Sequence, residues 1–223
     1  MPASYLTVAN PGQASFEVRG SEFIGHIRRA ATTEDAEAFI DAVRAEYDDA
    51  THNVPAYRVR VEQGGPGRGG GTTSSDSRES GGPGSQYMLR EYQSDDGEPT
   101  GSSGKPALNV LQGEELENVV VVVTRYYGGT NLGGGGLVRA YSKAVKDAIA
   151  DAGTLTERPQ ESFSVTVAYD DSGTVRGILE SADCAFDAEY GEDVAFDVTV
   201  AVEDADALRD RLRDATSGRA DIE

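Results

Sequence analysis

The chain has 223 residues, 38% of them hydrophobic, with 39 acidic against 20 basic residues and a net charge of −19. That length holds one large domain or two small ones, and so much acid excludes a broadly basic, nucleic-acid-coating surface. One cysteine (Cys184) and two histidines (His26 and His52) exclude an intrachain disulfide and a thiolate zinc cluster, and argue against a histidine-rich metal centre.

In chain order, SFEVRG and EFIGHI read as two short strands. TTEDAEAFIDAVRAEY reads as a helix with Thr33 as N-cap and Glu34 and Asp35 at the positive end of its dipole. Ala36, Phe39, Ile40, Val43 and Tyr47 share one face of it. AYRVRV alternates, Tyr57, Val59 and Val61 against Arg58 and Arg60, and QYMLREYQ is a second strand. The Gly/Ser insert 63–86 between them has no apolar residue to bury, which predicts a mobile hairpin tip.

DDGEPTGSSGKP is a loop and PALNVLQGEEL a short helix. NVVVVVT has no polar face and reads as a strand buried on both sides. GLVRAYSKAVKDAIADAG is a helix stopped by Gly153, with Leu137, Tyr141, Val145 and Ile149 as its buried stripe. Around Pro159 the pattern restarts as β-α-β-β-α-β, the split βαβ plan of ferredoxin-like domains. The expected domains are 1–153 and 160–223.

Lysine is scarce (Lys105, Lys143 and Lys146) and acid is spread over both halves, as in adaptation to a salt-rich, halophilic cytoplasm where strong salt screens self-repulsion. No basic region followed by an apolar run opens the chain, and the longest apolar run, Val119 to Val123, is too short to span a bilayer. A cytoplasmic protein with no membrane partner is expected.

Several chemical motifs fail on inspection. Gly104-Lys105 is followed by Pro106, with Pro99 where a P-loop needs its first glycine. Gly133 and Gly135 start a dinucleotide fingerprint, but Val138 holds the third glycine position. Ser102 and Lys105 fit S-x-x-K, yet Gly101, Gly104 and Pro106 argue against the helical turn that would align them. Asp95, Asp96 and Glu98, with His52, form a candidate polar cluster for a cation or for acid–base work; a solvated turn is the rival reading.

The remaining feature is an island without acid. Composition predicts about five acidic residues between Asn118 and Lys146, and there are none. Arg125, Tyr126 and Tyr127 end the valine strand, Gly128, Gly129 and Gly133 form the loop, and Arg139 and Lys143 follow on the helix. Cations, aromatics and loop amides together suit phosphate or nucleic acid. The alternative is a tight packing turn whose arginines pair with acids elsewhere.

The stretches SEFIGH, DATHNVPAYR, SDDGEPTGSSGKPALNVL and VVVTRYYGGTNLGGGGLVRAYSKA, in this order, resemble the IMPACT/YigZ family. The resemblance implies an α+β protein of two domains: an S5-domain-2-like sandwich (the second domain of ribosomal protein S5) and a ferredoxin-like βαββαβ domain. Together they would be similar to the last two domains of elongation factor G. It also implies a place in translation, since the eukaryotic members regulate it, and it adds Lys105 to the phosphate-facing set. Many members have Cys where this chain has Val54, and a Lys-rich stretch where it has RGSEF.

The expected function is therefore a non-catalytic, translation-associated protein that binds RNA or the ribosome, without cofactor or metal, with a translation-regulatory protein as a further possible partner. One alternative is a hydrolase or other enzyme on a small phosphorylated or peptide substrate, with His52, Asp95, Asp96 and Glu98 converging in a cleft. Another is a protein-interaction module with an apolar patch on its ferredoxin-like sheet.

Overall fold

The computed structural model describes residues 4–62, 79–80 and 87–223. The expected mobile insert 63–86 lies outside the described residues, apart from the two-residue strand β5 (Glu79–Ser80). The chain divides into two compact units, one of residues 6–156 and one of 157–223 with the first five residues.

The first unit contains β1 (Tyr5–Val8), β2 (Gly12–Val18), β3 (Ser21–Arg29), α1 (Thr33–Glu46), β4 (His52–Glu62), β5, β6 (Tyr87–Gln93), α2 (Gly104–Gly113), β7 (Val119–Tyr126) and α3 (Gly134–Ala152). Strand β8 (Thr154–Glu157) follows and pairs with β1. The main sheet has the order β2-β3-β7-β4-β6-β5, so β2 is an edge strand.

The valine run of β7 lies near the sheet's centre and is buried on both faces. Val119, Val121 and Val123 join α2 and α3 in one core, and Val120 and Val122 pack with Ala36, Ile40 and Val43 of α1 in the other. Five branched side chains without a polar alternate position fit only such a doubly covered strand. The stripe Leu137, Tyr141, Val145 and Ile149 is buried as the spacing predicts.

Two helix starts differ from the sequence reading. Thr32, one residue before Thr33, is the N-cap of α1: its hydroxyl accepts from the Asp35 amide, and the Asp35 carboxylate accepts from the Thr32 amide. This reciprocal box satisfies two otherwise orphaned N–H groups. Helix α2 begins at Gly104, ahead of Pro106, because a proline in the first turn removes no i−4 bond. Ser102 still lies before the helix, its Oγ donating to the Pro99 carbonyl at 2.6 Å.

The second unit has β9 (Gln160–Ala168), α4 (Tyr169–Ser181), β10 (Cys184–Tyr190), β11 (Asp193–Ala201), α5 (Val202–Ala215) and β12 (Asp221–Ile222). Its sheet runs β10-β11-β9-β12, which is the ferredoxin-like arrangement. Phe163, Val165, Phe196 and Val198 face Val175, Leu179, Leu208 and Leu212 of the helices. The opposite face carries Ser164, Asp187 and Asp197, with Asp187 directly across from Asp197. These polar positions do not add the apolar patch that would favour a protein-interaction reading.

Candidate functional site

The glycine loop between β7 and α3 is shaped by close backbone approach. A Cβ on Gly128 would lie 1.9 Å from the carbonyl carbon and oxygen of Gly20. The Gly128 amide also donates to Ser21 Oγ at 3.1 Å. Gly129 and Gly133 have φ of 82° and 70°, the left-handed region that side chains avoid. The loop is thus locked onto the β2–β3 turn, Arg19-Gly20.

That lock brings β2 beside α3, and the two elements diverge. At one end they touch: a Cβ on Gly12 would lie 2.6 Å from the Ala148 carbonyl oxygen. At the other they leave a groove of about 410 Å³, with Phe16, Val18 and Leu132 as apolar lining and Arg19, Arg139 and Lys143 as cations. Glu17 is the one acid in the lining. Lys143 lies over the Phe16 ring at 4.7 Å and pairs with Asp147. Arg19 and Arg139 have no ion pair among the described residues.

The other expected phosphate contacts are placed differently. Arg125 is 4% exposed and turned inward, its Nη1 donating to Glu98 Oε1 at 2.5 Å. Tyr126 donates to Asp49 at 2.7 Å, a bond that pushes its hydroxyl pKa up to about 12. Tyr127 is exposed, with Arg125 beneath its ring. Both tyrosines line a neighbouring depression with Glu17 and Glu22, which Arg139 and Lys143 do not line. Lys105 is half-buried in the first turn of α2 and does not line the groove.

The polar cluster does converge, but on itself. Asp95 caps α2 from a distance, accepting from the amides of Gly101, Ser103 and Gly104 and from Ser103 Oγ. Burial raises its pKa, and these bonds outweigh that to hold it below the usual carboxylate range. Asp96 accepts from the Asn53 amide at 2.7 Å and from Arg44 at 3.3 Å. Glu98 Oε1 accepts from Arg125 and, at 2.8 Å, from Tyr141, whose hydroxyl pKa is driven far up by burial and by Glu98. His52 Nδ1 donates to the Asp96 carbonyl at 2.7 Å, since a carbonyl can only accept. Its Nε2 lies 3.9 Å from Glu98 Oε1, beyond hydrogen-bond reach. Each of the three carboxylates is thus engaged in holding the 95–104 loop to β4, β7, α1, α2 and α3.

Sequence reasoning missed Arg19, which lies more than a hundred residues from Arg139. Its signal was present only in retrospect, as an arginine followed by glycine between two strands.

Fold and site define a two-domain α+β protein whose first domain carries an apolar-floored, cation-rimmed groove. The chain belongs to the IMPACT family: the family model of the Impact N-terminal domain matches residues 19–149, and a domain of unknown function, DUF1949, matches 165–219. It is similar to the IMPACT family member YvyE of Bacillus subtilis (30% identity, covering 98% of this chain and 90% of that protein). It is also similar to the IMPACT family member YigZ of Escherichia coli (33% identity over 81% of this chain and 77% of that protein). A crystal structure of a hypothetical protein aligns with a TM-score of 0.61 at 30% identity, covering 98% of this chain and 96% of that one.

Proposed function

We propose that this IMPACT-family protein is a translation-associated factor that binds RNA or the ribosome without catalysis, through the groove between β2 and α3. The observation that carries the reading is the charge of that groove. Three cations surround it, two of them without an acid partner among the described residues, on a chain of net charge −19. Unneutralised cations lining a groove favour phosphate. Family membership supports the place in translation. The enzymatic alternative has less support, because Asp95, Asp96 and Glu98 are all engaged in internal bonds.

The test is binding of ribosomes and structured RNA in molar potassium chloride, wild type against Arg139→Ala/Lys143→Ala. Loss of at least tenfold in affinity with an unchanged melting temperature supports the reading. Equal binding by both proteins overturns it.

A further inference from the structure

Arg19 stands in a backbone conformation that its side chain does not favour. Val18 pairs with Ser21, so Arg19-Gly20 is a two-residue hairpin turn. Both residues have positive φ, 50° and 79°, the geometry of a type I′ turn. Such turns favour Asn-Gly or Gly-Gly, because at positive φ a Cβ crowds the following carbonyl, a cost that glycine lacks and that asparagine offsets by local hydrogen bonding. Among the described residues no ion pair involving Arg19 offsets that strain. Arg19 is one of five non-glycine residues with positive φ among the described residues, and of these it is the one that lines the groove.

Position supplies the rest. The turn is seated on Gly128, where no side chain fits, so Arg19 is held at the groove that Arg139 also lines. The floor between them is apolar: Phe16, Val18 and Leu132. The groove closes where Gly12 meets the backbone of α3. Its volume is within the roughly 300–1,000 Å³ typical of small-ligand clefts. A duplex keeps its base faces stacked inside and offers such a floor only phosphate and sugar, whereas an unpaired nucleotide offers an apolar base face as well.

We propose that Arg19 is a nucleic-acid-binding residue, and that Arg19 and Arg139 clamp the phosphates flanking one unpaired RNA nucleotide whose base enters the groove. This rests on the RNA reading of the same groove and narrows it from RNA in general to single strands. In strong salt the counterion term is small, so burial of a base against the floor would carry much of the affinity.

The experiment uses the full chain, a fluorescein-labelled eight-nucleotide single-stranded RNA and a labelled RNA duplex of equal length, in potassium chloride from 0.2 to 2 M. Wild type is compared with Arg19→Asn, which suits the turn better, and with Arg139→Ala. The expected result is single-strand binding at least tenfold tighter than duplex binding. Arg19→Asn should lose tenfold or more in single-strand affinity while melting no lower than wild type. If Arg19→Asn binds as wild type, or melts lower, the role of Arg19 is overturned. If duplex and single strand bind alike and Arg139→Ala weakens both, the RNA reading stands and the single-strand inference falls. If wild type binds neither RNA, both fall.

Discussion

Glu98 Oε1 accepts a hydrogen bond from Arg125 Nη1 at 2.5 Å, inside the first domain and sealed from solvent. The pair ties the 95–104 loop to the end of the valine strand, and Tyr141 of α3 joins it at the same oxygen. The signature arginine of the glycine-loop stretch therefore serves the architecture of the site and leaves the surface cations to others.

Removing one partner of a buried ion pair leaves the other desolvated and unpaired, which costs about 3–5 kcal/mol. Glu98→Ala and Arg125→Ala should each destabilise the chain on that scale. Tyr141→Phe removes one bond to a charged group, worth about 1.5–3 kcal/mol, and should cost less. Urea unfolding followed by circular dichroism measures all three. A loss under about 1 kcal/mol for Glu98→Ala would mean that water reaches the pair in solution.

Asp95→Ala removes the acceptor of the first amides of α2, a cap worth about 0.5–2 kcal/mol. The pH dependence has a fixed sign. The folded carboxyl is held below its ordinary value, so its contribution is present above the unfolded pKa and fades as pH falls through the folded one. The difference in unfolding free energy between wild type and Asp95→Ala should therefore shrink on acidification below the usual carboxylate range. A difference that stays constant through and below that range would show that the carboxylate charge contributes nothing.

His26 is buried beneath Tyr47, with its Nε2 3.2 Å from Thr124 Oγ1. Burial lowers its pKa from 6.5, and Glu46 opposes that only in part. The unfolded chain therefore takes up a proton that the folded chain resists. Stability from this group is complete above the unfolded value and is lost as pH falls below it. Wild type should lose stability from about pH 6.5 downward more steeply than His26→Gln. Parallel stability–pH curves for the two proteins would contradict this.

Legibility followed the kind of signal each feature carries. The valine strand, the stripe of α3 and the βαββαβ order were readable because burial imposes a period on neighbours in sequence. Strands β1 and β8 were missed: four residues each, they pair across the length of the domain and have too few positions to show a period. The groove was half-readable. Arg139 and Lys143 stand out as cations in an acid-free stretch, but nothing local marks Arg19 as their neighbour, or Arg125 as the partner of Glu98. Both are relations between distant segments: the docking of Gly20 on Gly128 accompanies the first, and the packing of the 95–104 loop against β7 makes the second.

That docking separates the glycines of the loop into two kinds with opposite expected effects. Gly128→Ala would put a methyl group against the backbone of Gly20, which cannot rotate away as a side chain could. The turn must shift, with an overpacking cost of about 1–3 kcal/mol, and Arg19 shifts with it. At Gly134, the first residue of α3, an added methyl group would meet nothing within 4 Å, and φ is not positive. Gly134→Ala should stabilise by up to about 1 kcal/mol, since alanine loses less backbone freedom in a helix, and it keeps the amide. Thermal unfolding of both variants, with single-strand RNA binding on each, checks the pair. Gly128→Ala should lose stability and RNA affinity together, while Gly134→Ala should melt at or above wild type with affinity intact. The same sign for both would mean that the loop's glycines serve flexibility in common, and not one close backbone contact.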